Sequence, residues 1–376
     1  MPDPLSGPDA DPDVDVQAGP ETAADPPPVP SPRSVTLSVA SLVTLVLFAV
    51  LVLVPAPYAI GAPGPTRDTL GEQNGTPLID IGSKPSYPTT GELRLTTVSF
   101  SGGPGYPVTL PDVLRGWLSG SSVVSPVETV FPSGRSQDEI AKENSAEMIS
   151  SQENATVAAL EELGYTVPAR LGVAGVVDGT GAVGVVRKGD VVVALDGKPV
   201  VTYTDLVDAL AKIEPSRRVS LGIERDGTRR DVEIVTGARP GGGSQLGVLI
   251  DPVFDLPVHV TIKIDDIGGP SAGTMFALGI IDKLTPEDEA NGVVIAGTGT
   301  MDVNGKVGRI GGIQQKLAGA WRDGAAWFIA PAGDCDEVVG HVPGRLRVVK
   351  VETLHDARAA MEAIGSGRGA SLPTCP

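Results

Sequence analysis

Histidine and cysteine are scarce in this chain, and their scarcity removes whole classes of chemistry. Three histidines (His259, His341, His355) and two cysteines (Cys335, Cys375) stand among 376 residues. They are too few and too scattered for a zinc-ligand pattern or an HExxH helix, and the sequence calls for no metal and no cofactor. Positive charge is also short. Against 46 Asp and Glu there are 29 Lys and Arg, a formal charge of −17, so no clustered cationic surface is available to displace counterions from a phosphate backbone. Nucleic acid is not an expected partner. No GxxxxGK[ST] segment occurs, so nothing indicates an ATP-driven motor. A GxGxxG run does occur at Gly179, Gly181 and Gly184, but Val-Val-Arg-Lys-Gly-Asp follows it. That is not a helix start, and without helix N-terminal amides a pyrophosphate has no seat.

What the chain does have is one uncharged apolar run, residues 35–54, about as long as a bilayer's hydrocarbon core requires of a helix. A buried core helix and a cleavable signal peptide are the alternatives; the former is rarely so uniformly apolar and the latter has a shorter apolar stretch. The reading is an uncleaved single-pass anchor. Arg33 before it and Arg67 well after it barely decide its orientation. Both cysteines follow the span, which fits one Cys335–Cys375 disulfide in an oxidising compartment; two unrelated buried thiols are the alternative. A bridge would pin the tail and put the folded part outside the cytoplasm.

Residues 1–34 are rich in Pro, Asp and Ala and are expected to be a disordered cytoplasmic tail. Residues 55–88, rich in Pro and Gly, read as a linker. An alternating strand is expected at 93–100. Ser136 with Glu139 forms a capping box and Gly164 supplies a left-handed stop, which bounds a helix over 137–163 with a thin apolar stripe of Ile140, Ile149, Ala155 and Leu160. Residues 166–238 read as a small module: strands at 171–177 and 191–195, a helix at 204–212, and a hairpin turning on Asp226-Gly227. After a Gly-rich joint, strands at 246–250, 293–296, 327–330 and 347–351 alternate with helices following Ser271, Gly312 and Leu354. That alternation implies a mixed α/β layer architecture for residues 246–376.

Two segments of this last region carry chemistry. Ser271, in Gly268-Gly269-Pro270-Ser271-Ala272-Gly273, precedes an apolar helix, where unpaired amides and the helix dipole can stabilise an oxyanion. A helix-capping serine explains the segment equally well. Lys316, 45 residues further on, opens another helix after a Gly-rich run. A lysine acts as general base only when neutral, which takes desolvation; an exposed helical lysine is the plain alternative.

Taken together, GPSAG at 269–273, GGIQQK at 311–316 and Thr298 in the AGTGTM segment resemble the Lon family of proteases. The resemblance covers roughly the last 130 residues. It implies Ser271 as nucleophile, Lys316 as general base, Thr298 as the residue that positions the lysine, and Gly269, Pro270 and Ala272 as the oxyanion-side support. The segment RKGDVVVALDGKPV (187–200) is similar to the core of bacterial PDZ domains, which implies a peptide groove between the strand at Leu171, Gly172 and Val173 and the helix at 204–212. Gly268 stands where ATP-dependent Lon usually carries Asp. That departure, and the missing motor, resemble the PDZ-containing, membrane-anchored Lon-like peptidases of Gram-positive bacteria, of actinobacterial type. The fold so implied is a Lon-type proteolytic domain with an inserted or preceding PDZ domain and one N-terminal transmembrane helix. Residues 89–165 would belong to the protease fold. The activity implied is ATP-independent hydrolysis of unfolded or extracytoplasmic polypeptides by a Ser-Lys dyad, with a homo-oligomer a possibility. A non-catalytic, membrane-anchored PDZ scaffold is the rival of another class. Catalysis by His259 or His341 is disfavoured, since neither stands in a triad-type motif.

Overall fold

The computed structural model describes residues 31–376 except Ser83, Ser133, Gly241 and Asp266. The tail expected over residues 1–34 lies outside the described residues up to position 30. Its last three residues are helical, because helix α1 runs Pro32–Leu53. With 22 residues and none of them buried, α1 is long and apolar enough to cross a membrane by length and composition. Residues 54–376 form a separate compact unit.

That unit starts on a strand where the sequence suggested a linker. Strand β1 (Tyr58–Asp68) pairs along its length with β2 (Glu92–Ser101). Its buried face is built from Ala59, Gly61, Gly64 and Thr66, which carry no hydrophobic signal. Its two prolines, which cannot donate to a ladder, sit at or beside a bulge between Pro63 and Thr66. The rest of the expected linker is also structured: residues Ile79–Ile81 pair with Val260–Ile262. Helix α2 (Leu110–Leu118) and strand β3 (Val123–Pro126) follow. Helix α3 (Gln137–Glu162) has the expected ends, with Ser136 Oγ accepting from Glu139 N and Gly164 at φ +82°. Its buried face differs from the expected stripe. Ile149 is exposed, while Met148, Ser151 and all of residues 155–160 are buried, because the second half of α3 is enclosed in the core and needs no stripe.

The small module contains β4 (Ala169–Val176), β5 (Val191–Leu195), α4 (Tyr203–Ala211), β6 (Arg218–Arg225), β7 (Thr228–Val235) and β8 (Val248–Phe254). The turn residues Asp226 and Gly227 both take positive φ, 52° and 73°, as a two-residue hairpin requires. Strand order is β7-β6-β5-β4-β8, around a core that includes Leu171, Leu195, Leu206, Leu221 and Ile234. The segment expected to open the last domain therefore completes the module's sheet. The module extends to residue 254 and does not end at 238.

The remainder supplies α5 (Gly273–Leu284), β9 (Val294–Gly297), the hairpin β10 (Thr300–Met301) and β11 (Val307–Gly308), α6 (Ile313–Arg322), β12 (Trp327–Pro331), β13 (Arg347–Val351) and α7 (Leu354–Gly365). The main sheet runs β13-β12-β9-β2-β1-β3. Three of its strands precede the module and three follow, so the module is an insertion. The architecture is mixed α/β: β13, β12, β9 and β2 are parallel, whereas β1 runs antiparallel to β2 and β3. Helix α5 is buried on almost every side.

Candidate active site

Ser271 lies just before α5, whose N-cap is Ala272. Two contacts fix its carbonyl: Gly299 N donates at 2.9 Å and Thr298 Oγ1 at 3.0 Å. Pro270 O accepts from Ser151 Oγ of α3 at 2.9 Å. The helix begins with glycine for a steric reason. A Cβ at Gly273 would stand 2.8 Å from Met301 Cβ and 2.9 Å from Ser151 Oγ.

Lys316 comes from the first turn of α6. Its helix starts at Gly312, held at φ +69° with Val98 so close that a Cβ would meet it at 2.7 Å; both constraints demand glycine. Lys316 is 3% exposed. Its Nζ lies 2.8 Å from Ser271 Oγ and 2.9 Å from Thr298 Oγ1. The Thr298 hydroxyl has one proton, and that proton is directed to Ser271 O. Thr298 must then accept an N–H from Lys316. With the lysine neutral, this leaves its lone pair to receive the Ser271 proton.

The electrostatics favour that neutral state. Burial drives Lys316 from its usual 10.5 down to about 7, against the pull of the Asp334 carboxylate. Asp334 is fully buried, accepts from Ile310 N at 3.0 Å and pairs with Arg309 Nε at 3.0 Å. Much of its charge is thereby directed away from the lysine.

Ser271 and Lys316 open on a cleft of about 340 Å³ between residues 96–100 of β2 and the loops 267–272 and 311–312, with Met148 of α3 beside it. Strand β9 pairs with β2 only from Glu92 to Leu95. Beyond that point the β2 edge faces the cleft. Of the oxyanion-side residues, Gly269 donates its amide to Asn144 O at 3.0 Å, and Pro270 has no N–H. The amide donors at the turn are therefore those of Ser271 and Ala272, which corrects the expected contribution of Gly269. Ser151, Asn144 and Asp334 support the site without any sequence motif, since each reaches it only through the fold. No histidine lines the cleft; His341 Nδ1 meets Val339 O and His355 Nδ1 meets Glu162. Among the described residues no three His, Cys, Asp or Glu side chains gather as a metal-ligand set. Cys335 and Cys375 are joined as a disulfide.

The residues expected to border a peptide groove do not stand at a sheet edge. Leu171, Gly172 and Val173 sit on β4, an interior strand whose two edges are taken by β5 and β8. The end strands of this sheet are β7 and β8, and β8 is the one beside β4. Between it and α4 lies a cavity of about 280 Å³ lined by Leu206, Val207, Leu210, Arg239, Leu246 and Ile250, among others. Sequence order hid this arrangement, because β8 joins the sheet after a Gly-rich excursion and only pairing reveals which strand is at the edge.

Two protein-family models match the chain. Residues 135–236 match the PDZ domain model, and residues 252–362 match that of the Lon protease (S16) C-terminal proteolytic domain. The PDZ match begins on α3, which packs in the protease core, and stops short of β8. The chain is 32% identical over 114 residues to a Lon protease of Clostridioides difficile, covering 28% of this chain and 14% of that one. It is 36% identical over 81 residues to a probable periplasmic serine endoprotease, DegP-like, of Pseudomonas fulva, covering 21% and 17%. Among solved structures, the PDZ domain of an SdrC-like protein from Listeria innocua is 18% identical, with TM-score 0.21, covering 22% of this chain and 92% of that one. The chain thus spans about a sixth of the curated relatives it matches. It carries a PDZ domain and a Lon C-terminal proteolytic domain.

Proposed function

We propose that the chain is an ATP-independent serine endopeptidase that cleaves polypeptides with a Ser271–Lys316 dyad. The observation that carries the reading is the buried Lys316 Nζ, 2.8 Å from Ser271 Oγ and shifted to about 7. Ser271 Oγ attacks the peptide carbonyl as Lys316 takes its proton, and the oxyanion is met by the amides at the α5 entrance. Lys316 then gives that proton to the leaving amine as the C–N bond breaks. Water, activated by the same lysine, hydrolyses the acyl-enzyme. The bare edge of β2 beyond Leu95 suits an extended substrate, which would add as a strand and place its carbonyl over Ser271. Substrates are unfolded or extracytoplasmic polypeptides, held also by the PDZ groove between β8 and α4. Helix α1 would anchor the chain with its N-terminus in the cytoplasm and the catalytic part outside, where the Cys335–Cys375 bridge persists. Assembly of several copies would accord with the Lon-like domain.

The test is cleavage of casein by the full chain in detergent, with a serine-reactive probe alongside. Wild type should cleave and label; Ser271→Ala should do neither, and Lys316→Ala should lose cleavage. Full activity in Ser271→Ala sinks the assignment. An intact wild type that neither cleaves nor labels would favour a binding scaffold.

A further inference from the structure

Helix α2 turns its apolar side outward. Of its nine residues only Val113 and Gly116 are buried. They seat the helix on β1 and β3, so closely that a Cβ on Gly116 would stand 2.8 Å from Val124 Cγ2 and 3.3 Å from Ile60 Cγ2. Packing on that face leaves Leu114, Trp117 and Leu118 53%, 61% and 88% exposed. Their i, i+3, i+4 spacing makes them one stripe. Trp117 meets the ring of Tyr58 edge-on, with centroids 6.1 Å apart. An apolar stripe left bare on a folded surface marks a place of contact with something apolar.

Chain connectivity and charge name the partner. Helix α1 ends at Leu53, and Pro55 already forms a bridge with Thr109, the N-cap of α2, while Ala56 N donates to Val108 O at 2.8 Å. At most about 7 Å of extended chain separates the last residue of α1 from that joint. The segments around the joint are also the ones that the chain's acidity spares. Residues 54–66 carry no charge, and of the 46 Asp and Glu only Asp112 and Glu128 fall within residues 101–131. Asp112 is turned back to the start of α2, where its Oδ2 accepts from Thr109 N at 3.0 Å and from Thr109 Oγ1 at 2.7 Å. Arg115 is exposed beside the stripe, and an arginine there suits a lipid phosphate. In a chain of formal charge −17, a surface so poor in carboxylates is the one that an anionic leaflet repels least.

We propose that α2 lies in the lipid–water interface of the membrane that α1 spans, with Leu114 and Leu118 against the acyl chains and the Trp117–Tyr58 pair at the headgroups. The partner is a phospholipid surface. The catalytic unit is then held to the membrane by α2 as well as by its tether, and does not swivel freely about Val54 and Pro55. Because α2 sits on β1, and β1 pairs with β2, whose edge faces the cleft, this contact fixes how the cleft is presented to polypeptides near the membrane. The proposal rests on α1 as a membrane span and not on the peptidase reading.

The test reconstitutes the full chain into vesicles of phosphatidylcholine and phosphatidylglycerol. The phosphatidylcholine is brominated either near the headgroup end of its acyl chain or near the terminal methyl. Tryptophan emission is compared with that of Trp117→Phe, and flotation reports membrane association. The emission that Trp117→Phe lacks should be quenched about threefold more by the shallow bromines than by the deep ones, the depth of an interfacial helix. Leu118→Glu should cut the shallow quenching several-fold while the chain still floats and unfolds thermally as before. A floating chain whose Trp117 emission neither bromolipid quenches overturns the proposal and leaves the anchor standing. Quenching that Leu118→Glu leaves intact does the same, since it reports chance collisions of a tethered domain. Trp117 shielded in cross-linked pairs of chains, without quenching, would give the stripe to a second copy and also overturn it. A chain that does not float overturns the anchor and the proposal together.

Discussion

Replacing Lys316 with methionine should make the protein inactive and, at neutral pH, more stable. A lysine whose ammonium is lowered from 10.5 to about 7 on folding holds fewer protons in the folded chain than in the unfolded one between those values. Stability therefore rises with pH across that window. The full shift corresponds to about 4–5 kcal/mol at 1.36 kcal/mol per unit. Of this, about 4 kcal/mol opposes folding at pH 7 and about 2 kcal/mol still does at pH 9. Methionine is similar in length and uncharged, so it removes the penalty. It also strips the Ser271 and Thr298 hydroxyls of their partner, at about 1 kcal/mol each. The net expectation is a Lys316→Met chain about 2 kcal/mol more stable than wild type at pH 7, equal to it near pH 9, and less stable above pH 10. Guanidinium unfolding of the full chain in detergent at pH 6, 7, 8, 9 and 10 measures this. The same ionisation predicts that cleavage rises with pH to half its maximum near 7. If the stability difference between the two chains is the same at every pH, Lys316 is not desolvated, and its role as a neutral base fails with it.

Three other perturbations test separate parts of the site and its frame. Thr298→Val keeps shape but removes the acceptor for Lys316; kcat should fall about 10–100-fold with KM unchanged, and the acidic limb of the rate profile should move to lower pH because the ammonium loses a partner. Gly273→Ala puts a methyl 2.8 Å from Met301 Cβ, so thermal unfolding should show a loss of about 1–3 kcal/mol together with loss of casein cleavage. Replacing both Cys335 and Cys375 with alanine opens a loop of 40 residues; chain entropy assigns the bridge about 4 kcal/mol, which calorimetry should register as a Tm about 6 °C lower.

Those parts of the molecule that local chemistry determines were legible in the sequence. Ser271, Thr298 and Lys316 announce themselves because each stands in a glycine-bounded segment, and the structure sets Lys316 Nζ within 3 Å of both the Ser271 and the Thr298 hydroxyl oxygens. The ends of α3 were legible for the same reason, a capping box and a left-handed glycine. What escaped depends on pairing across the chain. Strand β1 hides its buried face in alanine and glycine because α6 packs directly on it, with Arg322 donating to Gly64 O at 2.8 Å. Whether β4 or β8 is the edge strand cannot follow from either segment's pattern, since both alternate. Asp334 acts on Lys316, and Ser151 holds Pro270 O, from positions too distant in sequence for any motif to span.

The insertion point of the PDZ domain gives these hidden contacts a common meaning. The chain enters the domain from α3, and α3 is the helix that holds the Ser271 loop, through Asn144 O on Gly269 N and Ser151 Oγ on Pro270 O. It leaves through β8, an end strand of the sheet, which runs on to residues 260–262 and then into that same loop. Glu161, at the end of α3, accepts the Thr204 hydroxyl of α4 at 2.6 Å, so one wall of the groove is tied to the helix as well. A ligand that adds a strand to β8 therefore acts on a frame fastened to the Ser271 turn from both sides. Hydrogen exchange of the full chain carrying Ser271→Ala should show slower exchange in residues 267–272 when a peptide is bound along β8, beyond the protection of β8 itself. Protection confined to residues 244–254 would mean that the groove holds substrate without conditioning the site.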